Sequence, residues 1–126
     1  GYPPGMTGLH PGLGVHERKL LVGAFNDKIH TIQAYNGNSW TDLKAPPAAA
    51  DGVNAFASCA RDLYVAAGTK PGTLYRWSRR EWKPVGSGGL HLNALKAHEG
   101  TLFIASSAVT IGSHKALVYS LEEAEK

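Results

Sequence analysis

Cysteine is nearly missing from this 126-residue chain: Cys59 stands alone, so no internal disulfide holds the fold. Charge is sparse as well, at 18%, with 13 Lys and Arg against 10 Asp and Glu for a net +3. So small a surplus gives little reason to expect nucleic acid or an anionic membrane as a partner. No apolar run approaches the roughly 18 residues of a membrane-spanning helix. A helical period is wanting everywhere except in the short tail SLEEAEK at Ser120–Lys126. The sequence carries no P-loop, no G-x-G-x-x-G, no G-x-S-x-G and no H-E-x-x-H, which removes the best-marked nucleotide, hydrolase and metalloprotease chemistries. Asn-x-Ser/Thr sequons are missing too, and localisation is left open.

What is present is glycine, 15 residues, with 7 prolines and an apolar share of 43%. That composition fits a packed domain of short elements and many turns, and it is too apolar for disorder.

The strongest positive signal is a repeat. Tyr35, Trp77 and Tyr119 stand 42 residues apart, and five residues after the first two come Trp40 and Trp82. Apolar runs precede each aromatic: LLVGAF from Leu20, LYVAAG from Leu63 and LFIASS from Leu102. Upstream of these, GLHPGLGVHERKLL from Gly8 and GLHLNALKAHEGTLF from Gly89 share GLH, then HE, then Leu; the middle copy reads GVNAFASCARDLY from Gly52. The repeats run approximately over 8–47, 51–86 and 89–121 of a single domain.

Each unit reads as four strands. The first, near Val53–Ser58 and His91–Ala97, alternates small and apolar residues. The second is the apolar run, as in a strand buried on both faces. The third is KIHTIQAY, GTLYRW or HKALVY, where β-branched and aromatic residues alternate with polar ones. A short fourth begins at the tryptophan, WTDL or WKPV. Turn chemistry separates them at Asn26-Asp27, Asn36-Gly37, Pro71-Gly72 and Gly86–Gly89. Four short strands in about 42 residues match one blade of a β-propeller, a unit of about 40 to 50 residues. The expected fold is therefore all-β, a propeller of four-stranded blades seen as about three blades.

The segment LLVGAF…IQAYNGNSWTDLKAPP resembles the kelch family of propellers, in which an apolar strand ending in small residues is followed by a Tyr, a Trp and a Pro-containing loop. The unit LYVAAG…LYRWSRREWKPVGSG is similar to propeller repeats ending in W-x-x-L/V-G. The resemblance implies a binding platform for proteins or glycans and implies no activity.

Three blades fall short of the usual four to eight in a closed ring. The expectation is that further blades complete it, from a longer chain or from a second copy making six. Residues Tyr2–His10 (YPPGMTGLH) align with Lys83–His91 (KPVGSGGLH), so Tyr2–Thr7 are expected as a remnant fourth strand. The third repeat carries Ala124 where its Trp is due. The remnant is expected to pair with the outer edge of a third-repeat blade.

The function expected is non-catalytic recognition of a protein or peptide by loops at one rim, through Asn26, Asp27, Thr69 and Lys70 between second and third strands and Pro47, Asp51, Ser87 and His91 between blades. Loops on a rigid scaffold are where binding residues concentrate. The alternative is a lectin-like propeller with Trp40 and Trp82 stacking on sugars, although their fixed place in the repeat suits packing between blades. A third possibility is an enzyme whose catalytic groups lie in other blades. No cofactor is expected. His10 and His91 occupy matching positions, as do His16 and His98, but zinc needs ligands within about 2.0–2.2 Å of one ion, closer than equivalent points on separate blades. Arg76, Arg79, Arg80 and Lys83, interleaved with Tyr75, Trp77 and Trp82, could stack on bases; an exposed hairpin turn explains them as well.

Overall fold

The computed structural model describes residues 3–47, 52–68, 72–87, 91–110 and 113–120, the last stretch and residues 11, 86–87, 91–93 and 106–110 through the backbone alone. Among the described residues eleven strands follow in order: β1 Gly8–His16, β2 Lys19–Phe25, β3 His30–Tyr35, β4 Trp40–Asp42, β5 Val53–Cys59, β6 Asp62–Ala67, β7 Thr73–Ser78, β8 Glu81–Ser87, β9 His91–His98, β10 Thr101–Thr110 and β11 Ser113–Ser120. Antiparallel pairing of neighbours gathers them into three sheets, β1–β4, β5–β8 and β9–β11. Each sheet falls within one sequence repeat. No α-helix occurs among the described residues, and the tail Leu121–Lys126, with Ala124, lies outside them.

Two-residue hairpin turns hold the register. Glu17-Arg18, Ala60-Arg61 and Arg79-Arg80 all sit in the left-handed region, with φ between 49° and 72°. Both central residues of a type I′ turn require positive φ, because that twist matches the flanking strands. The usual Asn-Gly signal is missing, so the strands themselves impose these turns. The longer turns use asparagine: the Asn26 Oδ1 accepts from the Lys28 and Ile29 N–H groups at 2.8 and 2.9 Å, and Asn36 does the same for Asn38 and Ser39.

The first strands share another feature. Register shifts fall between Leu9 and Leu13 on β1, between Val53 and Ala55 on β5, and opposite Ala105/Ser106 on β9. Such bulges bend a strand and increase its twist.

The sheets stack face to face in chain order. Between the first and second, Leu21, Ile32 and Ala34 meet Val53, Phe56, Leu63, Val65, Ala67 and Tyr75. Between the second and third, Cys59, Tyr64, Ala66 and Leu74 meet Leu102 and Ile104. Strand β6 explains its own unbroken apolar run: Leu63, Val65 and Ala67 point to one sheet and Tyr64 and Ala66 to the other. Burying side chains such as Ile32 or Val65 contributes about 1.5–3 kcal/mol each.

The sheets approach most closely at their first strands, β1 on β5 and β5 on β9. Glycine permits this. A Cβ on Gly14 would overlap the Cβ of Phe56, and one on Gly12 would lie 2.9 Å from the Val53 carbonyl oxygen.

One expected element takes another form. Over the described part of Tyr2–Thr7 there is no strand but a turn, closed by the Met6 N–H donating to the Pro3 oxygen at 3.0 Å. Two prolines in succession favour a turn there and deny the ladder its donors. Tyr2 lies outside the described residues.

Candidate functional site

Because the strands alternate, the turns β1–β2, β3–β4, β5–β6 and β7–β8 emerge at one end of the stack. At that end a cleft of about 300 Å³ opens between the first and second sheets. Leu21, Ala34, Leu43, Leu63 and Trp77 make its apolar lining; His16, Glu17, Lys19, Thr41 and Arg61 supply the polar groups. Each charged residue arrives from a turn or its flank: Glu17 and Lys19 from the first hairpin, Arg61 from the equivalent hairpin of the second sheet.

His16 spans the two sheets. Its Nδ1 lies 2.7 Å from the Ser58 Oγ, across 42 residues of sequence. Its Nε2 is 3.8 Å from a Glu17 carboxylate oxygen, and the Glu17 side chain is 70% exposed. Serine and imidazole are thus within hydrogen-bond reach, but the third group is too distant and too solvated to orient the ring as a nucleophilic triad requires. What the cleft offers is a pair of cations, Lys19 and Arg61, with the solvated Glu17 carboxylate as the opposing charge, beside an indole and aliphatic floor. Such a combination receives a carboxylate and an apolar group together.

The two tryptophans differ in use. Trp82 donates its indole N–H to the Leu43 and Lys44 carbonyl oxygens, both at 3.1 Å, tying β8 to the loop after β4. Its ring lies 4.8 Å from that of Trp77, and both pack on the core between the first two sheets. Trp82 is a packing residue. Trp40 makes the matching pair with Tyr35, also 4.8 Å between centroids, but on the outward face of the first sheet.

Of the expected rim residues, Asn26 and Asp27 lie in the β2–β3 turn, at the opposite end of the stack from the cleft. Asn26 is absorbed by its own turn, its Nδ2 also donating to the Gly5 oxygen at 3.0 Å. Asp27 is exposed, and Pro47 lines a shallow groove with Arg80, Glu81 and Trp82. Asp51, Thr69 and Lys70 lie outside the described residues. Ser87 and His91 are not loop residues: Ser87 pairs with Thr73 and His91 with Ser107, so both end strands rather than connect them.

Of the matched histidines, His10, His16 and His98 do not converge, and the His91 side chain lies outside the described ones. The His10 Nε2 lies 3.0 Å from the His30 Nδ1, beside the Phe25 ring, while His16 turns to Ser58 and His98 lies near Glu99 and Phe103. Burial, and then the charge of His30, hold His10 below its ordinary 6.5. Among the described residues no three His, Cys, Asp or Glu gather as metal ligands would. The basic cluster is likewise divided. Arg76 and Lys83 pair on the face toward the third sheet, whereas Tyr75, Trp77 and Trp82 occupy the other face and Arg79-Arg80 form the turn. Burial raises the Tyr64 phenol, and its hydrogen bond to Arg76 opposes that rise.

Compared with protein-family models, with curated proteins and with solved structures, the chain matches none.

Sequence reasoning missed Lys19, Thr41 and Arg61. Lys19 lies on β2, Thr41 on β4 and Arg61 in a hairpin turn of the second sheet, and only the stacking of sheets brings Arg61 to the other two. The shared His-Glu of the first and third repeats marked one turn of this end, but no local motif marked its neighbours.

Proposed function

We propose that the chain is a propeller-type array of blade-like sheets serving as a non-catalytic binding scaffold, and that its cleft takes a protein or peptide segment carrying a carboxylate next to an apolar side chain. Three antiparallel sheets in repeat order, closest at their first strands and joined farther out through Trp82, support the architectural part. The observation that carries the functional part is the cleft itself, lined by Lys19 and Arg61, with Glu17 near them, and by Trp77, Leu43 and Leu63. Cationic groups beside a partly desolvated apolar floor favour such a segment over a neutral sugar. Trp82, one of two residues a lectin reading needs, spends its indole N–H on packing.

The test is selection from a random peptide library on the 126-residue chain, followed by calorimetry. Selected peptides are expected to share an Asp or Glu next to an apolar residue. Lys19→Glu with Arg61→Glu should weaken them at least tenfold, while Asp27→Ala at the far end leaves them unchanged. Binding that survives the charge reversal and is lost with Asp27→Ala would move the site to the opposite rim. Glycan-array binding by a chain that retains no peptide would favour the lectin.

A further inference from the structure

The face of the second sheet that packs on the first has a counterpart on the first sheet itself. Position by position in the register, Phe56, Leu63, Val65, Trp77 and Trp82 correspond to Leu13, Leu20, Val22, Tyr35 and Trp40. Those of the second sheet are packed against a neighbouring sheet. On the first sheet, Leu13 is 63% exposed and Val15 is 66% exposed, with Leu9 at 43%. Cross-strand pairing places all three on the face of Tyr35 and Trp40, away from the second sheet.

The third sheet shows the converse. Leu102 and Ile104 are buried against the second sheet, while Phe103 between them points to the opposite face and is 36% exposed. Phe103 stands where the second sheet has Tyr64, an aromatic buried against its neighbour at 6% exposure. Among the described residues, four of the five exposed large hydrophobic ones, Leu9, Leu13, Val15 and Phe103, therefore lie on these two outer faces. One face is of the kind that packs onto a preceding sheet; the other is of the kind that receives a following one. Soluble proteins rarely leave apolar residues exposed side by side, as Leu9, Leu13 and Val15 are along β1; Phe103 shares its face with Lys96 and His98.

We propose that the outer face of the first sheet docks on the outer face of the third sheet of a second copy, repeating between chains the contact that joins successive sheets within one. The occupant is named by the repeat: the third sheet presents Phe103 where the second sheet has Tyr64, on the face that receives a following sheet. Two copies joined head to tail at both ends close on themselves, burying both faces and leaving no sticky end. The contact is between faces and requires no exchanged strand. It is independent of the ligand reading for the cleft, which opens between the first and second sheets.

Sedimentation of the unaltered chain over a concentration series decides the matter. The expected mass is twice 13.4 kDa, falling toward 13.4 kDa on dilution. Leu13→Asp with Val15→Lys should weaken association at least tenfold, and Phe103→Asp on the other face should do the same. Each variant keeps one intact face of opposite kind, so an equimolar mixture should recover a dimer that neither forms alone. An unaltered chain that stays at 13.4 kDa at every concentration overturns the proposal. So does a dimer that resists Phe103→Asp, since first-sheet faces would then be pairing with each other. Far-ultraviolet circular dichroism identifies any variant that has lost its sheets, and for such a variant the unaltered chain's mass alone decides.

Discussion

The first and second sheets are two readings of one repeat, and they differ in what covers them. In the second, both faces are occupied: Val65 and Tyr75 meet the first sheet, Tyr64 and Leu74 the third. In the first, Leu21, Ile32 and Ala34 meet the second sheet, while on the other face Val22, Ala24, Thr31 and Gln33 are buried and Leu9, Leu13 and Val15 of β1 are exposed. Corresponding side chains therefore have different energetic roles. Trp82 closes a contact between sheets; Trp40, half-buried like Trp82, packs on Tyr35 on the outward face. Repetition thus settles which positions are apolar, while place in the stack settles what those positions do.

That contrast can be broken most forcefully at the tryptophans. Trp82→Ala removes a packed indole and two hydrogen bonds, and should cost about 3–5 kcal/mol in chemical denaturation. Trp40→Ala in dilute solution should cost about 0.5–1.5 kcal/mol, the worth of its pairing with Tyr35. Equal losses would mean that the two faces are equally covered.

The close approach of β1 and β5 gives a smaller effect. Gly14→Val must push against Phe56, and overpacking of this kind should cost about 1–3 kcal/mol. The matching position of the second sheet, Ala57, already carries a Cβ, so Ala57→Gly tests the same register from the other side.

Histidine chemistry separates the ends of the first sheet. His10 has its pKa lowered in the folded chain, so the folded state binds a proton less readily than the unfolded one. The stability that goes with keeping the buried His10 neutral is present above the unfolded value of 6.5 and declines as pH falls below it. Melting temperature should therefore drop on acidification below that pH, and His10→Gln should flatten the drop. An unchanged slope would remove His10 as its cause.

The smallest effect concerns the turns. Arg80 holds a φ of 64°, where a side chain costs about 1–2 kcal/mol relative to glycine. Arg80→Gly should raise stability by up to about 1 kcal/mol after the added chain entropy is subtracted. A loss instead would show that the arginine's contacts outweigh its backbone strain.

Much of the secondary structure was legible because the 42-residue spacing, the apolar runs and the Asn and Gly turns all act locally. The tight Glu17-Arg18 and Ala60-Arg61 turns were not, since their residues resist positive φ and adopt it only when paired strands demand it. The segment before β1 misled for a related reason: YPPG aligns with a strand in sequence but carries two prolines where a ladder needs donors. The cleft was illegible because Lys19 and Arg61 meet only through stacking, and the base-stacking pattern around Trp77 dissolved because alternation sends arginines and tryptophans to opposite faces. Ser87 and His91, read as loop residues, were drawn into strands by pairing with Thr73 and Ser107.

The difference between covered and open faces can be observed directly by labelling the three tryptophans with 5-fluorotryptophan and following the fluorine resonances with concentration. Trp82 should show little solvent isotope shift at any concentration. Trp40 should show a clear one in dilute solution and lose it as copies associate, while Trp77 stays fixed. A Trp40 signal shielded at every dilution, or a Trp82 signal open to solvent, would contradict the account.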